Sequence, residues 1–438
     1  MLPTTLMCYN CRMLEKLLGF IKKPTSRDII INSLGNYLNV FFTAFFAFLL
    51  VRVLQPSEYG VLSVLLGISY VLANILDFGT TASIYSYLPP MIEKRHENTY
   101  IFLKTIFSYQ TAFSAVVITL LFIFFPYLDR VFFKTGAPSY ELYLTTFSVL
   151  FFIWQNYAIN ALNAAKQFFK ANLFLNLSNL IKTAVIVILI PLKMVTVGSI
   201  IFTFGILGPA IFFLVLFFDK KHIFIKVIKA PIVKEQFRFG YTITFFIASQ
   251  FFNLALRMDL FLLSYFLSKS PEVGYYGLAQ KIILTVTASI ASITQVLSPN
   301  FSKVKTKAET FKELRHGMTY LLIPIVLFIL LYFLPNQVFY IFFTEKFAKT
   351  AAITKALSLP YMIYVFMNIP ILFLLYTVKK PGVILIANLA VFIIVSVGCY
   401  FLIPKFGIFG PPYALAAGFF VSFLIMAVSS YREYQKIT

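Results

Sequence analysis

The chain has 438 residues, 60% of them hydrophobic and 12% charged, with a mean hydropathy of +0.86. A soluble domain carries about 25% charged residues, so this composition excludes one and points to an integral membrane protein. The net charge of +21 does not indicate a nucleic-acid partner, because the basic residues fall in short gaps between apolar runs.

A bilayer span needs about 20 apolar residues. Before the first such run, MLEKLLGFIKK (13–23) reads as a basic amphipathic stretch lying on a membrane. Cys8 and Cys11 have CxxC spacing, but no partner residues follow them, so no metal site is expected. Runs of spanning length then lie near 30–53, 59–80, 101–126, 141–163, 171–191 and 197–218. After a basic gap they resume near 240–267, 275–299, 317–338, 350–376, 382–403 and 409–430. The expected fold is therefore all-α and polytopic, with about twelve transmembrane helices in two six-helix halves around a central cavity. The divisions are a 1–28 N-terminal segment, a 29–218 half, a 219–238 linker, a 239–431 half and a 432–438 tail.

Lys and Arg in the loops alternate in density from one side to the other, 25 on one side and 8 on the other. Positive loops stay cytoplasmic, which predicts both termini in the cytoplasm and a multi-pass protein of the inner (plasma) membrane. LQPSEYGVLSV (54–64) and SKSPEVGYYGL (268–278) resemble each other, with Glu58 and Gly60 matching Glu272 and Gly274. Each follows the first span of its half. Six spans per half preserve orientation, so the halves read as parallel repeats.

Two longer runs carry a family resemblance. RVLQPSEYGVLSVLLGISYVLANILDFG resembles the first two spans of the polysaccharide-export flippases. RMDLFLLSYFLSKSPEVGYYGLAQKI resembles their seventh and eighth. This is the Wzx-like branch of the superfamily that also holds the MATE multidrug transporters and the lipid II flippase. The resemblance implies transport of a polyprenyl-pyrophosphate-linked oligosaccharide, an O-antigen, capsule or exopolysaccharide repeat unit, from the inner to the outer leaflet by alternating access. The residues show no nucleophile–base pair, Walker motif or metal-spacing cluster, so no enzyme and no cofactor is expected. An H+ or Na+ gradient is the candidate driving force, and a polysaccharide polymerase or ligase the candidate partner. The competing reading is a multidrug or other ion-coupled exporter of the same superfamily.

Polar side chains within spans face protein or water rather than lipid. At helical spacing they form stripes: Asn32, Asn36, Asn39 and Thr43; Ser63, Gly67, Tyr70, Asn74 and Asp77; Asn156, Asn160 and Asn163; Asn172, Asn176, Asn179 and Thr183. The seventh span gives Gln250, Asn253 and Arg257, and the eighth gives Lys281, Thr285, Ser292 and Gln295. Any one stripe serves equally as glue between helices, at about 0.6 kcal/mol per contact. Together they suggest a polar cavity. The ionisable residues inside spans are Asp77, Lys182, Arg257, Asp259, Lys281 and Lys355, with Arg52 at a span end. Arg257, Lys281, Lys182 and Arg52 are candidates for a pyrophosphate, which Arg grips bidentately. Asn36, Asn39, Asn74, Asn160, Asn253 and Gln250 are further candidates for the same substrate cavity, toward pyrophosphate or sugar. Asp259 and Asp77 are candidates for ion coupling. An Asp259–Lys281 salt bridge between helices is the structural alternative, and Pro360 and Pro370 mark a kink or gating point.

Overall fold

A computed structural model describes residues 24–93, 98–218, 224–233, 239–301, 304 and 306–437. The CxxC pair, the basic amphipathic stretch and parts of the 219–238 linker lie outside the described residues. Helix accounts for 89% of the structure, and no strand occurs among the described residues.

The first half comprises α1 (Pro24–Val53), α2 (Pro56–Ile75), α3 (Thr80–Glu93), α4 (Thr99–Leu128), α5 (Ser139–Ala164), α6 (Phe168–Leu189) and α7 (Val197–Phe218). A short helix α8 (Phe224–Lys229) lies in the connection. The second half comprises α9 (Phe239–Leu267), α10 (Pro271–Phe301), α11 (Lys307–Phe333), α12 (Asn336–Phe343), α13 (Lys349–Leu372), α14 (Pro381–Phe406) and α15 (Gly410–Gln435). The short α12 lies in a loop between two spans. Nine helical stretches among the described residues are long and apolar enough to cross a membrane. The last of these, Pro381–Gln435, is two helices joined by the turn Gly407–Phe409. With α9 and α10, of 29 and 31 residues, the count reaches the expected twelve.

The second predicted span departs from expectation in one respect. It is not a single helix over 59–80: α2 ends at Ile75, and the chain restarts as α3 at Thr80. Phe78 (φ 50°) and Gly79 (φ 72°) adopt left-handed backbone that a helix cannot continue through. The tenth span runs through both Pro360 and Pro370, and a π-helical turn, Phe373–Thr377, takes up the disruption just after the second proline.

The two copies of the repeated motif meet each other. Each starts a helix, with Pro56 or Pro271 at its beginning and Glu58 or Glu272 in the first turn, where a carboxylate favours the positive helix end. The Gln55 amide N–H donates to the Glu58 carboxylate at 2.9 Å. Gly60 and Gly274 then let α2 and α10 cross in backbone contact. A Cβ built on Gly60 would stand 2.8 Å from the Gly274 nitrogen, and one built on Gly274 would strike the Pro56 carbonyl. One turn further, Gly277 packs on Ser63, its equivalent in the other repeat. Equivalent residues in contact place the pseudo-twofold axis between α2 and α10.

This seam lies on the face opposite the chain ends, and other contacts reinforce it there. The Arg52 guanidinium donates to the carbonyls of Phe342 (2.9 Å) and Ile341 (3.2 Å). The Ser264 hydroxyl donates to the Phe133 carbonyl. Lys134 lies over the Tyr265 ring at 4.0 Å.

A cationic cavity between the halves

Beneath the seam, α1, α2, α5, α6 and α7 of the first half and α9 and α10 of the second enclose a cavity of about 510 Å³. Binding pockets for organic ligands span roughly 300–1,000 Å³. Lys182, Arg257 and Lys281 line it, and among the described residues no carboxylate does.

Arg257 comes from α9 and is half-buried. Its guanidinium donates to the Gln280 side-chain carbonyl at 2.9 Å. The Gln280 amide nitrogen in turn donates to both oxygens of Asp259, at 2.9 and 3.0 Å, and to the Leu256 carbonyl at 3.2 Å. Asp259 is wholly buried. It also accepts from the Tyr276 hydroxyl at 2.6 Å and from the Leu260 amide at 2.7 Å. A carboxylate inside a membrane protein is tolerated only with such partners. The alternative Asp259–Lys281 salt bridge is therefore not the one formed. Gln280 and Tyr276, one turn apart on α10, take the carboxylate. Lys281, about 100° round the helix from Gln280, points into the cavity instead.

The two lysines face each other across a pair of rings. Lys281 lies 5.8 Å from the Phe46 ring and Lys182 lies 4.8 Å from the Phe204 ring. These distances are within cation–π range. The two rings are themselves in contact, with centroids 3.7 Å apart. Lys182 is buried, with its stem against Gly208. Arg257 and Lys281 interact electrostatically as like charges.

On the first-half wall, Asn39 accepts from the Asn179 amide at 2.8 Å, and both line the cavity. Ser63, Gly67, Tyr70, Gln155 and Asn156 also line it, and Thr285 does so from α10.

The other predicted residues lie elsewhere. Arg52 belongs to the seam, with its guanidinium stacked 3.4 Å from the Phe48 ring. Asn36 and Asn74 are exposed outside the cavity lining, and Gln250 and Asn253 on α9 also fall outside it. Asn160 donates to the Thr81 hydroxyl at 2.8 Å, holding α5 to α3. Asp77 accepts from the hydroxyls of Thr80 and Thr81, both at 2.8 Å, and so caps the start of α3. Lys355 donates to Asn336 at 2.9 Å, outside the cavity lining. The side chains of Asn32, Ser292 and Gln295 lie outside what is described. Gln280 and Tyr276 escaped the sequence reading. Their only signal was the i, i+4 spacing within YYGLAQKI, one face away from Lys281.

The fold is known from other proteins. A structure of the lipid II flippase MurJ in an inward closed conformation superposes with a TM-score of 0.68 at 16% identity, covering 93% of this chain and 90% of that one. An inward-facing MATE family multidrug resistance transporter of the MOP superfamily gives 0.69 at 12% identity, covering 93% and 95%. A MOP superfamily transporter from Pyrococcus furiosus, described as having a binding pocket of reverse polarity, gives 0.59 at 13%, covering 95% and 97%. At these identities the likeness establishes the fold. No curated protein matches the chain. The family model described as "Polysaccharide biosynthesis protein" matches residues 25–305, more than half of the sequence. The chain is accordingly an integral membrane protein that belongs to the polysaccharide biosynthesis protein family.

Proposed function

We propose that this chain is a flippase that moves a polyprenyl-pyrophosphate-linked oligosaccharide from the cytoplasmic to the outer leaflet of the plasma membrane by alternating access. The observation that carries the reading is the cavity wall: three cations, contributed by both halves, and no carboxylate among the described residues. A diphosphate carries the complementary charge, and a low-dielectric cavity strengthens its attraction to fixed cations. A cationic drug would need acidic side chains there, which disfavours the multidrug alternative. A lipid II flippase has the same fold, which agrees with a lipid-linked cargo. In this reading the chain ends are cytoplasmic and the Gly60–Gly274 seam closes the outer side. An H+ or Na+ gradient drives the cycle, with Asp259 the remaining carboxylate for coupling, since Asp77 serves α3 as a cap.

Deletion of the gene tests this directly. Lipid-linked oligosaccharide should accumulate on the cytoplasmic leaflet, inaccessible to glycosidase added outside, and surface glycan should be lost. Normal surface glycan in the deletion strain would sink the reading.

A further inference from the structure

The cationic residues account for only part of the cavity. The first-half wall carries a second kind of chemistry that a diphosphate does not use. Tyr70 on α2 and Phe152 on α5 stack with centroids 5.3 Å apart and planes 26° from parallel. Tyr70 is 43% exposed and presents its ring to the cavity. Beside it, Gln155 is 6% exposed, and its amide nitrogen is buried with no hydrogen-bond partner among the described residues. Asn156, the next residue, is exposed to the same cavity. A buried amide donor left unpaired is a cost that native structures rarely retain without a reason.

We propose that Tyr70, Phe152, Gln155 and Asn156 form a subsite for the first sugar of the cargo, separate from the cations that hold its diphosphate. This rests on the transport reading above and deepens it. One face of a pyranose is an array of C–H groups that lies flat on an aromatic ring. Its rim is hydroxyls, which primary amides satisfy because they both donate and accept. Position also fits. Tyr70 and Arg257 line the same cavity, so a sugar stacked on Tyr70 can direct its anomeric phosphate toward the guanidinium. In a lipid-linked sugar those two groups are adjacent. The division follows the repeats: the second half supplies Arg257 and Lys281, and the first half supplies the aromatic and amide wall along with Lys182.

The test uses the full chain in nanodiscs and two kinds of probe: a polyprenyl pyrophosphate without sugar, and the same lipid bearing one glucose, galactose or N-acetylglucosamine. At least one sugar-bearing lipid should bind more tightly than the bare lipid. Tyr70→Leu and Gln155→Leu should each weaken that lipid about tenfold, the scale of one lost polar or packing contact. Both variants should leave the bare lipid within about twofold of wild type by the same measure. Asn156→Ala, at an exposed position, should act in the same direction as Gln155→Leu. Arg257→Gln should weaken both classes of lipid alike. Equal binding of bare and sugar-bearing lipids by wild type, or equal losses for both in the Tyr70 and Asn156 variants, would overturn the sugar subsite while leaving the transport reading standing. Failure of wild type to bind any of these lipids would overturn both.

Discussion

Arg257 is held by one side of its fork. Its bond to Gln280 fixes the guanidinium plane, and Asp259 orients Gln280 by accepting from the amide nitrogen with both oxygens. The amide carbonyl is thereby turned toward Arg257, and the remaining guanidinium donors are left for the cavity. A lysine at this position would carry the charge without the planar fork. We therefore expect Arg257→Ala to reduce complementation of a deletion strain at least tenfold, on the order of a lost charge-assisted hydrogen bond. Arg257→Lys should recover only part of it, with protein levels in the membrane unchanged. Full complementation by both variants would remove Arg257 from the binding machinery. The presence of these side chains was legible in the sequence, since ionisable residues stand out in apolar runs, but their partners were not. Whether Lys281 or Gln280 meets Asp259 depends on how α10 is rotated against α9. No pattern in one helix reveals that rotation. Arg52 illustrates the same limit: a charge at a span end reads alike whether it faces a cavity or ties two helices together.

Where α2 and α10 cross, their backbones are in contact. A methyl group added at Gly274 would meet the Pro56 carbonyl and lie 3.1 Å from the Gly60 nitrogen. Overpacking of this sort costs about 1–3 kcal/mol. The cost falls on the conformation in which the seam is closed and is relieved where α2 and α10 separate. Gly274→Ala should therefore raise, by about tenfold or more, the labelling of Thr285→Cys by an impermeant maleimide added from the outer side, in a background without other cysteines. Unchanged labelling would mean that the seam is not what closes that face. The repeated motif was visible in the sequence, and so was the equivalence of Gly60 and Gly274. That the two copies touch was not, because symmetry relates them without fixing their separation. The polar stripe on α2 was extrapolated too far for a local reason. Helical spacing from Ser63 through Tyr70 assumes a continuous helix, and Phe78 and Gly79 end it, so Asp77 turns from the stripe to cap α3.

For the whole molecule, hydropathy carried the sequence reading furthest. Each predicted span has a helical counterpart, and boundaries differ mainly where polar helix ends extend past the apolar run, as in α11, which begins at Lys307. The bilayer demands that every spanning backbone satisfy its own hydrogen bonds, so length and apolarity alone identify the segments. Orientation rests on the unequal loop charges. A reporter fused at either end of the chain should be active only in the cytoplasm. Activity on the outer side at either end would invert the topology, and with it the assignment of the seam to the outer face.

The Arg52 contact has a consequence for how this protein can vary. Its acceptors in the other half are main-chain carbonyls, at Ile341 and Phe342. Every amino acid carries a carbonyl, so replacing those two side chains leaves the acceptors in place, and no substitution there can compensate for loss of the arginine. Between the two halves this tie is therefore genetically one-sided. Side-chain changes at Ile341 and Phe342 leave the tie intact so long as the backbone path is kept, whereas no side chain at those two positions can restore it once Arg52 is lost.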